Sequence, residues 1–201
     1  MTAALVSPPD AQTTDAMAMF LNPPDENIYE LVDGALVEKN VSFISSYVAA
    51  QVINKLIDAA KVGAQGYTAS EPHILCFPWR SRHGRRPDVA FWRKDRLAIL
   101  SHKPPAVPPN LVVEVVSPTD LFGDVERKIE EYLRAGVDRV WIVNSDTRTV
   151  REHGTDGTLR LHHADTKLTA APVVTGFSVR VADLFPPPDV TEPLEPLPPD
   201  A

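Results

Sequence analysis

Residues 111–117 read Leu-Val-Val-Glu-Val-Val-Ser, and this run limits the possible folds more than any other. Branched apolar residues at nearly every position suit a central strand covered on both faces. Glu114 stands inside it. An ionised carboxylate there is costly unless it is paired or holds a metal. Two further residues pose the same problem. Asp88, within Arg86-Pro87-Asp88-Val89-Ala90-Phe91, opens a second apolar run, and Lys128 lies on the apolar side of the helix after Ser117.

Side-chain directions bring the three together. Strand alternation puts Glu114 on one face with Val112 and Val116, and Asp88 on one face with Ala90 and Trp92. On a helix of about 100° per residue, Lys128 falls within roughly 20° of Leu121 and about 40° of Tyr132. Arg127, Glu130 and Glu131 are expected to point away, leaving Lys128 as the one inward charge of that helix. A short strand-to-helix connection folds the helix back over the sheet, within reach of Glu114.

The rest of the chain supplies the layers. Residues 1–22 are expected to be a mobile arm, with Met17, Met19 and Phe20 available to dock. Asp33-Gly34 predicts a tight hairpin between Tyr29 and Glu38. Ile44, Val48, Val52 and Leu56 recur at helical spacing from Ser42, a candidate N-cap, to about Lys61. Tyr67–Phe77 and Asp88–Trp92 read as strands. The helix carrying Lys128 is expected to start at Thr119 or Asp120 and to end at Gly136. Strands follow at 137–143, 147–152 and 158–163, and 173–184 closes the domain. The Pro-rich stretch 186–201 reads as a disordered tail. The order predicts one α/β domain of the α+β kind over residues 23–185, a mixed sheet flanked by helices.

Composition enters through charge. A net charge of −7 argues against nucleic-acid binding through bulk charge. Four of the acids, however, lie in the tail after Phe185, while Arg80, Arg82, Arg85, Arg86, Arg93, Lys94 and Arg96 bracket Asp88. That basic segment suits an anionic substrate or, equally, a solvated arginine-rich loop. The single cysteine, Cys76, excludes an internal disulfide and suits a small core residue. No apolar run approaches the ~20 residues of a membrane span, and the expectation is a cytoplasmic protein. His73, His83, His153, His162 and His163 lack metal-ligand spacing and are expected to be surface or strand polar residues. No phosphate-cradling glycine loop or nucleophile elbow is present.

Two carboxylates and a lysine at one sheet edge suit metal-dependent phosphodiester hydrolysis. The acids would hold Mg²⁺ or Mn²⁺, and the lysine would orient water or offset transition-state charge. A buried Glu114–Lys128 ion pair fits the spacing equally well. Glu71, before Asp88, is a further acid that would face either the site or solvent.

Glu30-Leu31-Val32-Asp33-Gly34, Arg86–Phe91, Leu111–Pro118, Glu131-Tyr132-Leu133-Arg134-Ala135-Gly136-Val137, Val140-Trp141-Ile142-Val143, Thr175–Val179 and Ala182–Phe185 occur in this order. Together, over about residues 28–185, they resemble the Uma-two family of endonucleases, in the PD-(D/E)XK, restriction-endonuclease-like superfamily. The resemblance implies a mixed four-stranded core sheet, with Asp88 and Glu114 as metal-binding acids and the Val115 carbonyl in the metal shell. It implies Glu30 as a supporting acid. The superfamily lysine would stand at Val116, where this chain has none; Lys128 matches the place from which the family supplies one. The histidine many members carry near the start of the long helix is absent from Ser42-Phe43-Ile44-Ser45-Ser46. The expected function is a Mg²⁺- or Mn²⁺-dependent nuclease acting on DNA, with Arg85 and Arg86 at phosphates and a homodimer extending the groove. The alternatives are a non-cutting binding or regulatory module on the same fold, and a hydrolase using Asp88 and Glu114 as an acid–base pair.

Overall fold

The computed structural model describes residues 16–190; expectations for residues 1–15 and for the end of the tail lie outside them. The elements run α1 (Ala16–Leu21), β1 (Tyr29–Val32), β2 (Ala35–Glu38), α2 (Phe43–Lys61), β3 (Gly66–Ser70), β4 (Val89–Arg93) and β5 (Leu111–Val116). Then come α3 (Phe122–Ala135), β6 (Arg139–Asn144), β7 (Thr149–Gly154), β8 (Leu159–His162), β9 (Lys167–Thr169) and β10 (Ser178–Arg180). Six strands form one mixed sheet in the order β3-β4-β5-β6-β7-β8, two more than the expected four-stranded core. β5 lies inside it, antiparallel to β4 and parallel to β6. The parallel pair requires a crossover, and α3 supplies it.

Two cores cover the two sheet faces. Val89, Phe91, Val113, Val115 and Trp141 pack with the α2 stripe Val48, Val52 and Leu56, and with the closing residues Val174, Phe177 and Leu184. Ala90, Trp92, Val112 and Ile142 pack with Val125, Ile129 and Tyr132 of α3. The expected alternation is therefore present: Glu114 and Asp88 belong to the α3 face.

Local signals behave as their chemistry requires. Asp33 and Gly34 take φ of 51° and 88°, making the tight β1–β2 turn. The Ser42 side chain accepts a hydrogen bond from the Ser45 amide at the start of α2. Gly136 ends α3 with φ 95°. Several boundaries differ from expectation. Residues 16–21 of the supposed mobile arm form a helix whose Phe20 is fully buried against the hairpin, because aromatic burial there offsets the ordering cost. The strand expected over 67–77 stops at Ser70; beyond it only Ile74 forms a bridge, to Arg85. α3 begins at Phe122 without a side-chain cap, because Asp120 instead accepts from the Ser117 amide and hydroxyl.

The β1–β2 hairpin stands apart from the six-stranded sheet. It docks through Leu31, whose amide donates to the Gly84 carbonyl while the Gly84 amide donates back, at 2.9 and 2.8 Å. A Cβ at Gly84 would lie 2.5 Å from the Phe20 ring, so the close approach of hairpin, arm and loop requires glycine. This docking carries the hairpin's charged side chains to the α3 face.

Gly66 opens edge strand β3, where an added Cβ would lie 2.1 Å from the Trp92 carbonyl oxygen and 2.5 Å from Phe91 Cζ. Gly66→Ala is expected to lower stability by about 1–3 kcal/mol through overpacking, read as a shift in the urea midpoint. A midpoint equal to wild type would contradict this packing.

Candidate functional site

Register explains how two acids distant in sequence meet. Val89 pairs with Val113 in the β4–β5 ladder, so Asp88, one step beyond, comes level with Glu114 on the same face. The ladder opens here. The Asp88 carboxylate takes over a ladder role, as its Oδ2 accepts the Val115 amide at 2.6 Å. Glu114 Oε1 accepts from the Tyr132 hydroxyl of α3 at 2.7 Å. Each carboxylate thus has one oxygen tied to the scaffold and one free of it. Both residues are 4% exposed.

Two lysines face those oxygens. Lys128 lies inward as expected, its Nζ 3.0 Å from Glu30 Oε1 and 3.6 Å from Glu114 Oε2. The second is Lys39, just past β2, which the sequence reasoning missed. Its Nζ is 2.8 Å from Asp88 Oδ1 and 3.5 Å from Glu114 Oε2, and it donates to the Arg86 carbonyl at 3.0 Å. A signal for it existed. A two-residue turn at Asp33-Gly34 sets Glu30 opposite Val37, and directly opposed residues share a face, as do residues two apart. Lys39 therefore belongs to the face of Glu30.

A second tier supports the first. Arg85 is buried, its Nη1 donating to Glu30 Oε2 at 2.8 Å and its Nε to Glu131 Oε2 at 2.7 Å. Its guanidinium is turned inward and committed to these two carboxylates. Glu131 is also buried, which corrects the expectation that Lys128 is the only inward charge of α3. Positions 128 and 131 lie about 60° apart on a helix, so both fit the covered side. Glu131 additionally receives Arg80 Nη1 at 2.9 Å and lies 3.1 Å from His83 Nε2. His83 is buried in the loop before β4, against the expectation of a surface or strand polar residue.

Arg86 presents its backbone to the site, its guanidinium donating to the Glu71 carbonyl at 3.0 Å. Glu71 lies 3.6 Å from Arg86 Nη2, so the structure pairs these two with each other. The basic stretch is not an open patch either. Arg93 pairs with Asp95 and Arg96 with Asp138, each at 2.8 Å.

The electrostatics follow from burial and partners. Burial pushes the Glu30 carboxyl up, but Lys128, Arg85 and Lys39 outweigh it and hold it at about 2. Burial likewise opposes ionisation of Glu131, yet His83 and Arg85 hold it at about 2. Glu114 goes the other way. Burial, helped by the charges of Asp88 and Glu30, raises its carboxyl above the ordinary value despite both lysines. Burial lowers both lysines, but the surrounding carboxylates prevail and raise them.

Because Glu30 and Glu131 have folded values below the ordinary 4.5, their stabilisation is present above pH 4.5. It drains away as pH falls toward about 2. Glu114, raised, has the opposite sign and costs stability as rising pH ionises it. Acid unfolding should therefore steepen between pH 4.5 and about 2, and less so in Glu131→Gln. That variant should also lose about 3–5 kcal/mol at pH 7, since Arg85 is left partly unpaired in the interior. Urea unfolding followed across pH checks both.

The family model described as "Putative restriction endonuclease", Uma2, matches residues 15–182. Among solved structures, "a putative nuclease belonging to DUF820 from Anabaena variabilis ATCC 29413" shares the fold with a TM-score of 0.72 and 16% identity. The alignment covers 86% of this chain and 98% of that one. No curated protein matches. The family match spans every element that builds the site, from the β1–β2 hairpin to α3, and the chain belongs to the Uma2 restriction-endonuclease family.

Proposed function

We propose that the protein is a divalent-metal-dependent nuclease that hydrolyses DNA phosphodiester bonds at the Asp88–Glu114–Lys128 face. The observation that carries this is the convergence of one oxygen of Asp88 and one of Glu114 on a single cation, the Lys39 ammonium. The donor chemistry fits Mg²⁺ or Mn²⁺: hard carboxylate oxygens already accommodate a positive charge between them. No group of three or more His, Cys, Asp or Glu side chains suited to a metal occurs among the described residues. Asp88 and Glu114 would hold the ion, with the Val115 carbonyl beside them. Water and the substrate's own phosphate would complete a shell of the kind Mg²⁺ prefers.

When bound, the metal would polarise the phosphate and make its water more acidic. The chain's own groups do the rest. Tyr132 and the Val115 amide hold the two carboxylates in fixed orientations, so little reorganisation is needed as charge develops. Lys128, anchored by Glu30, keeps its ammonium beside Glu114. There it would orient the attacking water and offset negative charge on the phosphate. Glu30 acts through Lys128 and is a positioning residue, as is Glu131 through Arg85.

A non-cutting module is the second reading, favoured by the self-pairing of the arginines around Asp88. An acid–base hydrolase fits less well, because an ammonium stands between the two carboxylates. Purified protein should nick supercoiled DNA with Mn²⁺ or Mg²⁺ and not with EDTA. Asp88→Ala and Glu114→Gln should abolish nicking, and Lys128→Ala should slow it by about 10²–10³-fold, at unchanged fold by circular dichroism. Binding without cutting under either metal would establish the module instead.

A further inference from the structure

We propose that Lys39 is a built-in counter-cation that occupies the divalent-ion position between Asp88 and Glu114 and yields it as anionic substrate arrives. This rests on the reading of those two acids as the metal ligands. It concerns a residue for which that reading has no role.

Three oxygens from two parts of the chain converge on the Lys39 ammonium: Asp88 Oδ1 at 2.8 Å and the Arg86 carbonyl at 3.0 Å from the segment before β4, and Glu114 Oε2 at 3.5 Å from β5. The other oxygen of each carboxylate is committed, to the Val115 amide and the Tyr132 hydroxyl. Lys39 therefore holds the one oxygen of each acid that a metal would need. Lys128 does not compete in the same way. Its shorter contact is to Glu30, and its Glu114 contact is 3.6 Å.

Charge balance favours the exchange. Glu30, Asp88, Glu114 and Glu131 face Lys39, Lys128, Arg85 and Arg80, with the exposed Asp33 also 3.4 Å from Arg80 at the rim. The cluster is close to neutral with its own cations in place. A dication added to it would leave an uncompensated positive charge in a poorly solvated interior, which is strongly disfavoured. Binding becomes favourable when Lys39 withdraws, or when a phosphodiester brings negative charge with it.

The side chain suits that movement. Lys39 follows the last residue of β2 and precedes α2, its backbone held by the Ile28 carbonyl at 2.7 Å. A lysine carries its ammonium on a flexible four-carbon stem, so the charge can swing out while the backbone stays fixed. Its side chain is 12% exposed, and so it already borders solvent. The displaced ammonium would remain near the site, where the incoming phosphate needs a counter-charge. Metal and substrate would then bind cooperatively, each favouring the state the other requires.

Isothermal titration of full-length protein with Mn²⁺, without DNA, tests this. Lys39→Met and Lys39→Gln should each bind Mn²⁺ about tenfold more tightly than wild type, within the usual range of coupling between sites; Lys39→Arg should not. Thermal melts establish that each variant is folded, and the glutamine variant carries a neutral amide donor on a stem one bond shorter. In wild type, a phosphorothioate duplex, chosen to slow cutting and followed before turnover accumulates, should tighten Mn²⁺, and Lys39→Met should shrink that gain. Equal or weaker Mn²⁺ binding by both neutral variants, with no coupling to the duplex in wild type, would overturn the proposal. Tighter binding by the neutral variants in a protein that never nicks DNA would leave it standing while the nuclease reading fails.

Discussion

A carboxylate in the middle of the most apolar strand is the constraint on which the rest of this structure depends. Glu114 is enclosed by Val112, Ile142 and the stripe of α3, where an unpaired charge would cost several kcal/mol. The fold answers with a tyrosine hydroxyl and two ammonium groups. Each ammonium then needs a further acid, Asp88 for Lys39 and Glu30 for Lys128. Glu30 draws in Arg85, and Arg85 draws in Glu131. The chain of pairs runs on through the partly exposed Arg80 and ends at the solvent-exposed Asp33, 3.4 Å from it. Burying one charge thus organises a network linking the hairpin, the 80–88 loop, β5 and α3.

Such a network is a poor means to stability alone, since apolar residues of similar size often stabilise as well or better. Its value lies in orientation. Asp88 Oδ2 is fixed by a ladder amide and Glu114 Oε1 by Tyr132, so the two remaining oxygens face one point. The opposite face, where Val113 and Val115 meet α2, carries the packing. One strand therefore serves both the core and the site by alternation, a division that a six-residue element can make only because its side-chain period is two.

Much of this was legible in residue order. Val-rich β5, the Asp33-Gly34 turn, the Ser42 cap and the Gly136 terminus each rest on local chemistry, and local chemistry survives folding. The inward placement of Lys128 followed from helix periodicity. Glu131, His83 and Lys39 were misplaced or missed for a common reason. Periodicity and register offered a face for Glu131 and Lys39, but their partners lie roughly fifty residues away, so what encloses them depends on docking. Arg85 was misjudged for the same reason: an arginine beside a candidate site reads as a phosphate contact until the carboxylates that enclose it are known.

By itself, then, the sequence determined the order and kind of the main elements, which face Glu114, Asp88 and Lys128 share, and membership of a known family. Tertiary structure decided which cation meets which acid. The Leu31–Gly84 bridge seats the hairpin against the 80–88 loop, and that single docking brings Lys39 to Asp88 and Glu30 to Lys128. Periodicity specifies the face on which a side chain emerges; only the packing of one element on another specifies what it meets there.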